Sequence, residues 1–453
     1  MKPEEIEQFE KRMDRKIIKT YGEAIEHINL TINQKDSHNI QTINLRNLDF
    51  TQFCHHGEGE SHFEFNELFH CLKIFKNKGN EIICTCILDC CNSVFNSASV
   101  EFIKFEQGVF FCYTIFKKGL DVQVCLFNSN LDLQGAIFID NLDINNCVFK
   151  SDLQLSGGFF ANGLVLSMNK SLEESFILDM KKSKIYGFVN LIGNRFNNLT
   201  LNLQKAKLLD CNLQLHGKFN EVLLDEVITN ETTIIKVENA IIEKFSITFS
   251  SIKAKVYFLS NRVDYFDAMN TIVEGVLFVS NKSVVRDVSG RYTAKLLKHE
   301  SIKANDVITS NHFRMLELKK YQEELVKNRK SKRKLDLLNE MAILMFSWLS
   351  NKHGQSWIRG FCFTVLSSVI FYFLFGIISN QIEFRFIMNN ENLLLWGLYW
   401  KEVLRYFWLP DISGLKGLEV GFWGALIFII GKIFIAYGIY QTVAAFRKYS
   451  SSK

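Results

Sequence analysis

The 453-residue chain is 47% hydrophobic, which excludes an intrinsically disordered chain and makes a single small domain too little to hold it. A net charge of +5 is too even for nucleic-acid binding by bulk electrostatics, so no nucleic acid is expected as a partner. Phe occurs 41 times and Pro only twice, which favours ordered, repetitive, apolar architecture over flexible linkers.

The opening stretch, "MKPEEIEQFEKRMDRKII", alternates charges and has no apolar core, so it does not read as a cleaved signal. Residues 1–40 are expected to form an N-terminal helical cap on the cytoplasmic side. Eleven cysteines, an odd number in a chain without secretory features, point to reduced thiols and not to a disulfide framework. Cys54, His55, His56, His62, His70 and Cys71 fall close together, and zinc accepts such ligands. They lack a C-x-x-C or H-x-x-x-H pair, so a polar loop in an early coil is the simpler reading and no metal or cofactor is assigned. Cys84, Cys86, Cys90 and Cys91 read as small buried strand residues.

A repeat of eleven residues follows. Phe105, Phe116, Phe127, Phe138, Phe149 and Phe160 recur without a break in register. Two positions before them stand Ile103, Thr114, Cys125, Ala136, Cys147 and Gly158, and apolar residues follow four and six positions after each Phe. Apolar pairs spaced by two, as in "CVF" and "LQL", face one side of a strand, and polar or Gly residues between the pairs supply corners. Short strands and turns at a fixed period describe a solenoid. Two units make a square coil of about 22 residues, with Cys125 above Cys147 and Ala136 above Gly158.

The pattern resembles the pentapeptide-repeat family, which implies a right-handed four-sided β-helix with a small residue and a Leu or Phe inward on each side. Its five-residue step is plain in "INLRNLDF", where Ile43, Leu45, Leu48 and Phe50 form two successive sides. Here the sides alternate five and six residues, and Phe mostly replaces the central Leu, which allows a wider coil. A solenoid over 41–290 would have on the order of eleven turns and extend roughly 50 Å at ~4.8 Å per turn.

Residues 291–357 read as a basic helical linker. A charged helix is expected after a cap at Ser310 and Asn311. Further on, Leu338, Met341, Ala342, Met345, Trp348 and Leu349 form one apolar stripe, suited to partner helices or a membrane interface. Lys327, Arg329, Lys330, Lys332, Arg333 and Lys334 form a basic cluster placed to touch anionic lipid.

Residues 358–453 read as a membrane domain. The stretches 360–382 and 420–446 are long and apolar enough to cross a bilayer, and basic residues flank both on one side. A two-pass protein with both termini in the cytoplasm is therefore expected, with the bilayer and an unidentified cytoplasmic protein as partners. Between the spans an amphipathic, aromatic loop places Trp396, Trp400 and Trp408 where an interfacial belt would sit, or where a pore helix would lie. Lys432, about midway along the second span, would line a pore, pair with an acid, snorkel or mark an oligomer contact. The C-terminal 310–450 region also resembles the membrane module of bacterial pentapeptide-repeat membrane proteins, which implies an inner-membrane location and no established activity.

No P-loop, G-x-G-x-x-G, H-E-x-x-H or G-x-S-x-G occurs. The expected function is therefore non-enzymatic: a cytoplasmic solenoid serving as an interaction or sensing surface on a two-helix anchor. The alternative is a homo-oligomeric channel or pore effector gated by the solenoid.

Overall fold

The computed structural model describes residues 15–31, 42–53, 62–72, 76–78, 81–196, 198–280, 282–327, 334–353, 356–378, 392–410 and 421–450. The chain divides into two compact units, Met1–Leu296 and Leu297–Lys453.

The first unit is a parallel β-solenoid of about nine turns. A representative turn contains four short strands, Val109–Phe110, Ile115–Phe116, Leu120–Gln123 and Leu126–Phe127. Each pairs in parallel with the equivalent strand one turn later. Because a turn closes in two repeat units, the Phe series splits into two stacks. Phe116 lies over Phe138 and Phe160, and Phe105 lies over Phe127 and Phe149. Ring centroids within the stacks are 5.1–5.3 Å apart with interplanar angles of 4–11°. That spacing slightly exceeds the ~4.8 Å between strands, so the rings lie offset, the arrangement their quadrupoles favour. All six rings are buried, and one stack continues back through Phe95 to Phe50.

Nine turns, not eleven, fill the span because the first one, from Asp49 to Val94, is swollen by an insertion carrying a helix at Phe65–Leu72. The solenoid therefore rises only roughly 43 Å. Its start is also more than a helical cap: Lys16–Ile17 pairs with Leu48–Asp49 as an extra strand, and helix α1 (Tyr21–Thr31) buries Ala24 and Ile28. The helix in the insertion is α2. Beyond Phe160 the next turns carry Ile185 and Leu208 at the Phe position. There, sides merge into long bulged strands, Lys207–Leu223 and Ile234–Ser246, and the repeat is harder to read.

Near the corners, side chains from the following turn also hydrogen-bond to backbone carbonyls of the turn before. Cys125 Sγ donates to Val100 O at 3.4 Å, Cys147 Sγ to Val122 O at 3.6 Å, and Asn169 Nδ2 to Ile144 O at 2.7 Å. Asn194 and Asn261 repeat the contact to Leu166 O and Val237 O. At the opposite corner Thr114, Ser183 and Ser250 hydroxyls do the same to Cys90, Leu155 and Leu224. Thiol, amide and hydroxyl are interchangeable here because each is a small donor able to satisfy a buried carbonyl.

Helix α3 (Arg291–Lys303) follows the last strand. Helix α4 (Val307–Lys327) starts earlier than the sequence suggests: Asp306 is its cap, accepting from Thr309 N at 2.9 Å, in place of Ser310 or Asn311. Helices α5 (Lys334–Asn351), α6 (Trp357–Ile378), α7 (Asn392–Phe407) and α8 (Phe422–Ser450) complete the described chain.

Phe138→Ala should cost about 3–5 kcal/mol of solenoid stability, read from denaturant midpoints, because the ring touches stacked neighbours above and below. Asp143 stacks on Asp121, and burial followed by the charges of Asp121 and Asp140 raises its carboxyl above the usual 3.8. A raised acid weakens the fold as pH climbs above that value. Asp143→Asn should raise the melting temperature at neutral pH, with the gain disappearing by about pH 3.8.

Candidate functional site

Helices α6 and α8 are the two long, apolar helices, and they pack antiparallel. Gly360 faces Thr442, Thr364 faces Gly438 and Phe371 faces Gly431. A Cβ on Gly438 would come within 3.1 Å of the Thr364 Cα, so only glycine permits this approach. Glycines and threonines thus bring the two backbones close, as in helix pairs that gain no hydrophobic drive from their surroundings, and Ser368 donates to Val403 O of α7 at 3.4 Å. Phe371 and Phe363 also meet Phe434 across the seam and Phe375 meets Phe428, while other large apolar side chains face outward. Ile358, Leu366, Ile370, Trp423, Ile429 and Ile433 are exposed.

The C-terminal turn of α7 docks in the groove between these helices. Tyr406 is buried against Phe375 and Phe428 and donates its hydroxyl to Phe428 O at 3.0 Å. Lys432 Nζ donates to Tyr406 O at 2.7 Å and Trp408 O at 2.8 Å, and lies 4.8 Å from the Tyr406 ring and 5.3 Å from the Phe428 ring. A helix leaves its last carbonyls unpaired and carries partial negative charge at that end. Lys432 therefore acts as a C-terminal cap delivered from another helix, and the two ring faces add cation–π attraction. None of the four roles the sequence offered for this lysine included capping. The signal was tertiary: the carbonyls it reaches lie 24 and 26 residues away.

Trp400 and Trp408 are exposed, and the Trp408 carbonyl is level with Lys432, about ten residues and ~15 Å into α8. The side chain of Trp396 lies outside the described residues, as do Arg329, Lys330, Lys332 and Arg333. Lys327 is the exposed last residue of α4, and Lys334 begins α5.

On α5 the apolar stripe is turned outward except at Met341, which packs against Leu325, Leu337 and Leu344. Leu338 is 67% and Met345 62% exposed, with Trp348 and Leu349 alongside, whereas Leu337 and Leu344 pack inward with Leu325. Arg359 sits over the Trp348 ring at 5.7 Å, and Phe346 meets Phe434 of α8 edge-on at 5.6 Å.

A second feature belongs to the solenoid surface. The corner series Phe102, Val124, Asn146 and Met168 has φ of 52°, 53°, 53° and 55°. Asn tolerates this left-handed conformation; Phe, Met and above all β-branched Val adopt it at a cost of roughly 1–2 kcal/mol each. Phe102, Val124 and Met168 are 51%, 45% and 68% exposed, so burial does not compensate them. Sequence reasoning missed this stripe because it is polar in the one unit, Asn146, where conformational preference and surface exposure agree.

Of the early metal-ligand candidates, Cys54, His55 and His56 fall outside the described residues. His62 hydrogen-bonds to Ser97 Oγ at 2.7 Å and Ser99 Oγ at 3.1 Å. His70 and Cys71 lie on α2. Among the described residues, no three potential ligands converge. Comparison with protein-family models, with curated proteins and with solved structures yields no match.

Lys432→Met should free the C-terminal turn of α7, lowering stability by about 1.5–3 kcal/mol, the usual worth of charge-assisted hydrogen bonds. Limited proteolysis should then cut first near residues 405–410, where the unaltered protein resists.

Proposed function

We propose that this chain is a non-enzymatic, two-span protein of a bacterial inner membrane that presents a cytoplasmic, pentapeptide-like solenoid as a surface for another macromolecule. The observation that carries the reading is the outward face of α6 and α8: both helices are long and apolar, they close on each other through Gly–Thr contacts and an aromatic cluster, and Ile, Leu and Trp side chains remain exposed outside. In water that arrangement exposes a broad apolar surface; in lipid it is the stable one. The outward stripe of α5, next to a basic cluster, supports an interfacial position for that helix. Basic residues flanking both spans on one side support cytoplasmic termini.

The strained apolar corners of the solenoid support the binding role, since conformational cost at exposed positions is retained where it serves contact. A partner protein with an apolar patch would meet Phe102, Val124 and Met168 in one row, on successive and alternate turns.

The channel reading draws on the docking of α7 between the two apolar helices, as a pore helix docks. Two spans cannot enclose a conduit, so it needs a homo-oligomer. Engagement of Lys432 with carbonyls takes that charge out of any pore lining and favours the anchor.

Carbonate extraction of membranes, with topology reporters at residue 1 and in the 385–415 loop, tests the reading. Retention in the pellet with a cytoplasmic residue 1 and a periplasmic loop is expected; release into the supernatant contradicts it. Changing Phe102, Val124 and Met168 together to Asn should raise solenoid stability by about 2–4 kcal/mol. The same triple change should abolish co-purification of any stoichiometric partner.

A further inference from the structure

Two cysteines on the first regular turns of the solenoid border one surface depression, Cys112 partly exposed and Cys91 almost covered. Cys91 and Cys112 occupy equivalent positions one turn apart, in continuation of the Asp89–Phe110 register, and Asn92 N donates to Cys112 O at 2.9 Å. In-register parallel strands place their Cα atoms ~4.8 Å apart, inside the range a disulfide spans. Their thiols are close enough to influence each other's ionisation. Both line an open depression of about 430 Å³, together with Arg46, Asp89 and Tyr113. The Arg46 guanidinium lies beside Cys91 and pairs with Asp89 at 2.9 Å.

We propose that Cys91 and Cys112 form a hydroperoxide-responsive dithiol whose oxidation staples two neighbouring turns of the solenoid. Cys91 is the attacking sulfur. Interaction with Cys112, and then with Arg46, holds its thiol below the usual value against the opposing effects of burial and Asp89, whereas the interaction with Cys91 and burial push Cys112 up. A low thiol and a neighbouring resolving cysteine are what peroxide chemistry requires. The Cys91 thiolate attacks the hydroperoxide: an S–O bond forms, the O–O bond breaks and takes up two electrons, and the alcohol or water leaves with a proton. Cys112 then attacks the Cys91 sulfenic sulfur. The S–S bond forms and the hydroxyl departs as water with the Cys112 proton. Two thiols and one hydroperoxide thus give one disulfide, one alcohol or water, and one further water.

Cys125 and Cys147 provide a control inside the same molecule. They are stacked one turn apart in the same way, but both are buried and bonded to carbonyls, whereas Cys112 is partly exposed, and burial pushes the Cys125 thiol well up. Cys84 is likewise pushed up to about 12 by burial.

The test is peptide mapping of the full-length protein in its detergent or membrane environment after brief hydrogen peroxide treatment and alkylation, with and without reduction. A Cys91–Cys112 disulfide should dominate, with Cys125 and Cys147 unlinked. Cys112→Ser should accumulate a dione-reactive sulfenic acid on Cys91, and Arg46→Gln should slow oxidation about tenfold, since thiolate fraction sets the rate. If the folded wild-type protein, checked by circular dichroism, forms no 91–112 disulfide, or if 125–147 oxidises equally fast, the proposal fails. Retention of the wild-type rate in Arg46→Gln would also overturn it. Because the wild-type map needs no variant, a misfolded Cys112→Ser leaves the test decisive.

Discussion

One ring stacked on its copy a full turn later is the interaction on which the solenoid depends. A Phe side chain fills the interior of a turn, but it can do so without voids only if the next turn places another flat, parallel group at the same height. The repeat of eleven meets that demand by returning Phe to the same side every second unit, so Phe116, Phe138 and Phe160 stack on their neighbours within 11°. Aliphatic residues between them, such as Leu131 over Leu153 and Leu120 over Leu142, take the remaining volume. Where the stack ends, at Phe149 and Phe160, regular geometry ends with it. Phe176 and Phe196 tilt against Phe149, and the sides lengthen into bulged strands.

The corners impose the second constraint. Turning the chain four times in 22 residues leaves buried carbonyls beside each corner with room for a second donor, and it forces some residues into the left-handed region. A donor one turn on answers the first difficulty. Cysteine does so at two levels and asparagine at the next, so the chain's many cysteines include a structural group with no redox part to play. Glycine answers the second at Gly135, where a Cβ would also strike the Tyr113 ring at 2.6 Å. Phe102, Val124 and Met168 do not answer it, and a non-structural demand on those positions is the account we propose.

Most of the architecture was legible in the sequence because the repeat is itself the physical cause of the fold. Period two within a strand and period 22 between turns leave one way to bury the Phe series. The number of turns is not legible because the length of the insertion carrying α2 (Phe65–Leu72) cannot be read from the period on either side of it. The cap of α4 moved to Asp306 because three candidate caps lie within six residues, and only the contact to Thr309 distinguishes them. The role of Lys432 was not legible at all. Hydropathy reports that a charge lies in an apolar helix, but the carbonyls of Tyr406 and Trp408 that receive it are fixed by packing between α7 and α8. The same holds for the Cys91–Cys112 pair, which is ordinary in sequence and becomes distinctive only beside Arg46.

The in-register turn of 22 residues underlies each of these conclusions, and spin-label broadening tests it most directly. Nitroxides at Gln123 and Asn145 sit on paired strands in adjacent turns, whereas Gln123 and Gln134 lie half a turn apart on different sides. Strong dipolar broadening is predicted for the 123/145 pair and a sharp spectrum for 123/134. Broadening of 123/134 instead, as a two-sided coil of eleven would give, contradicts the structure at its foundation.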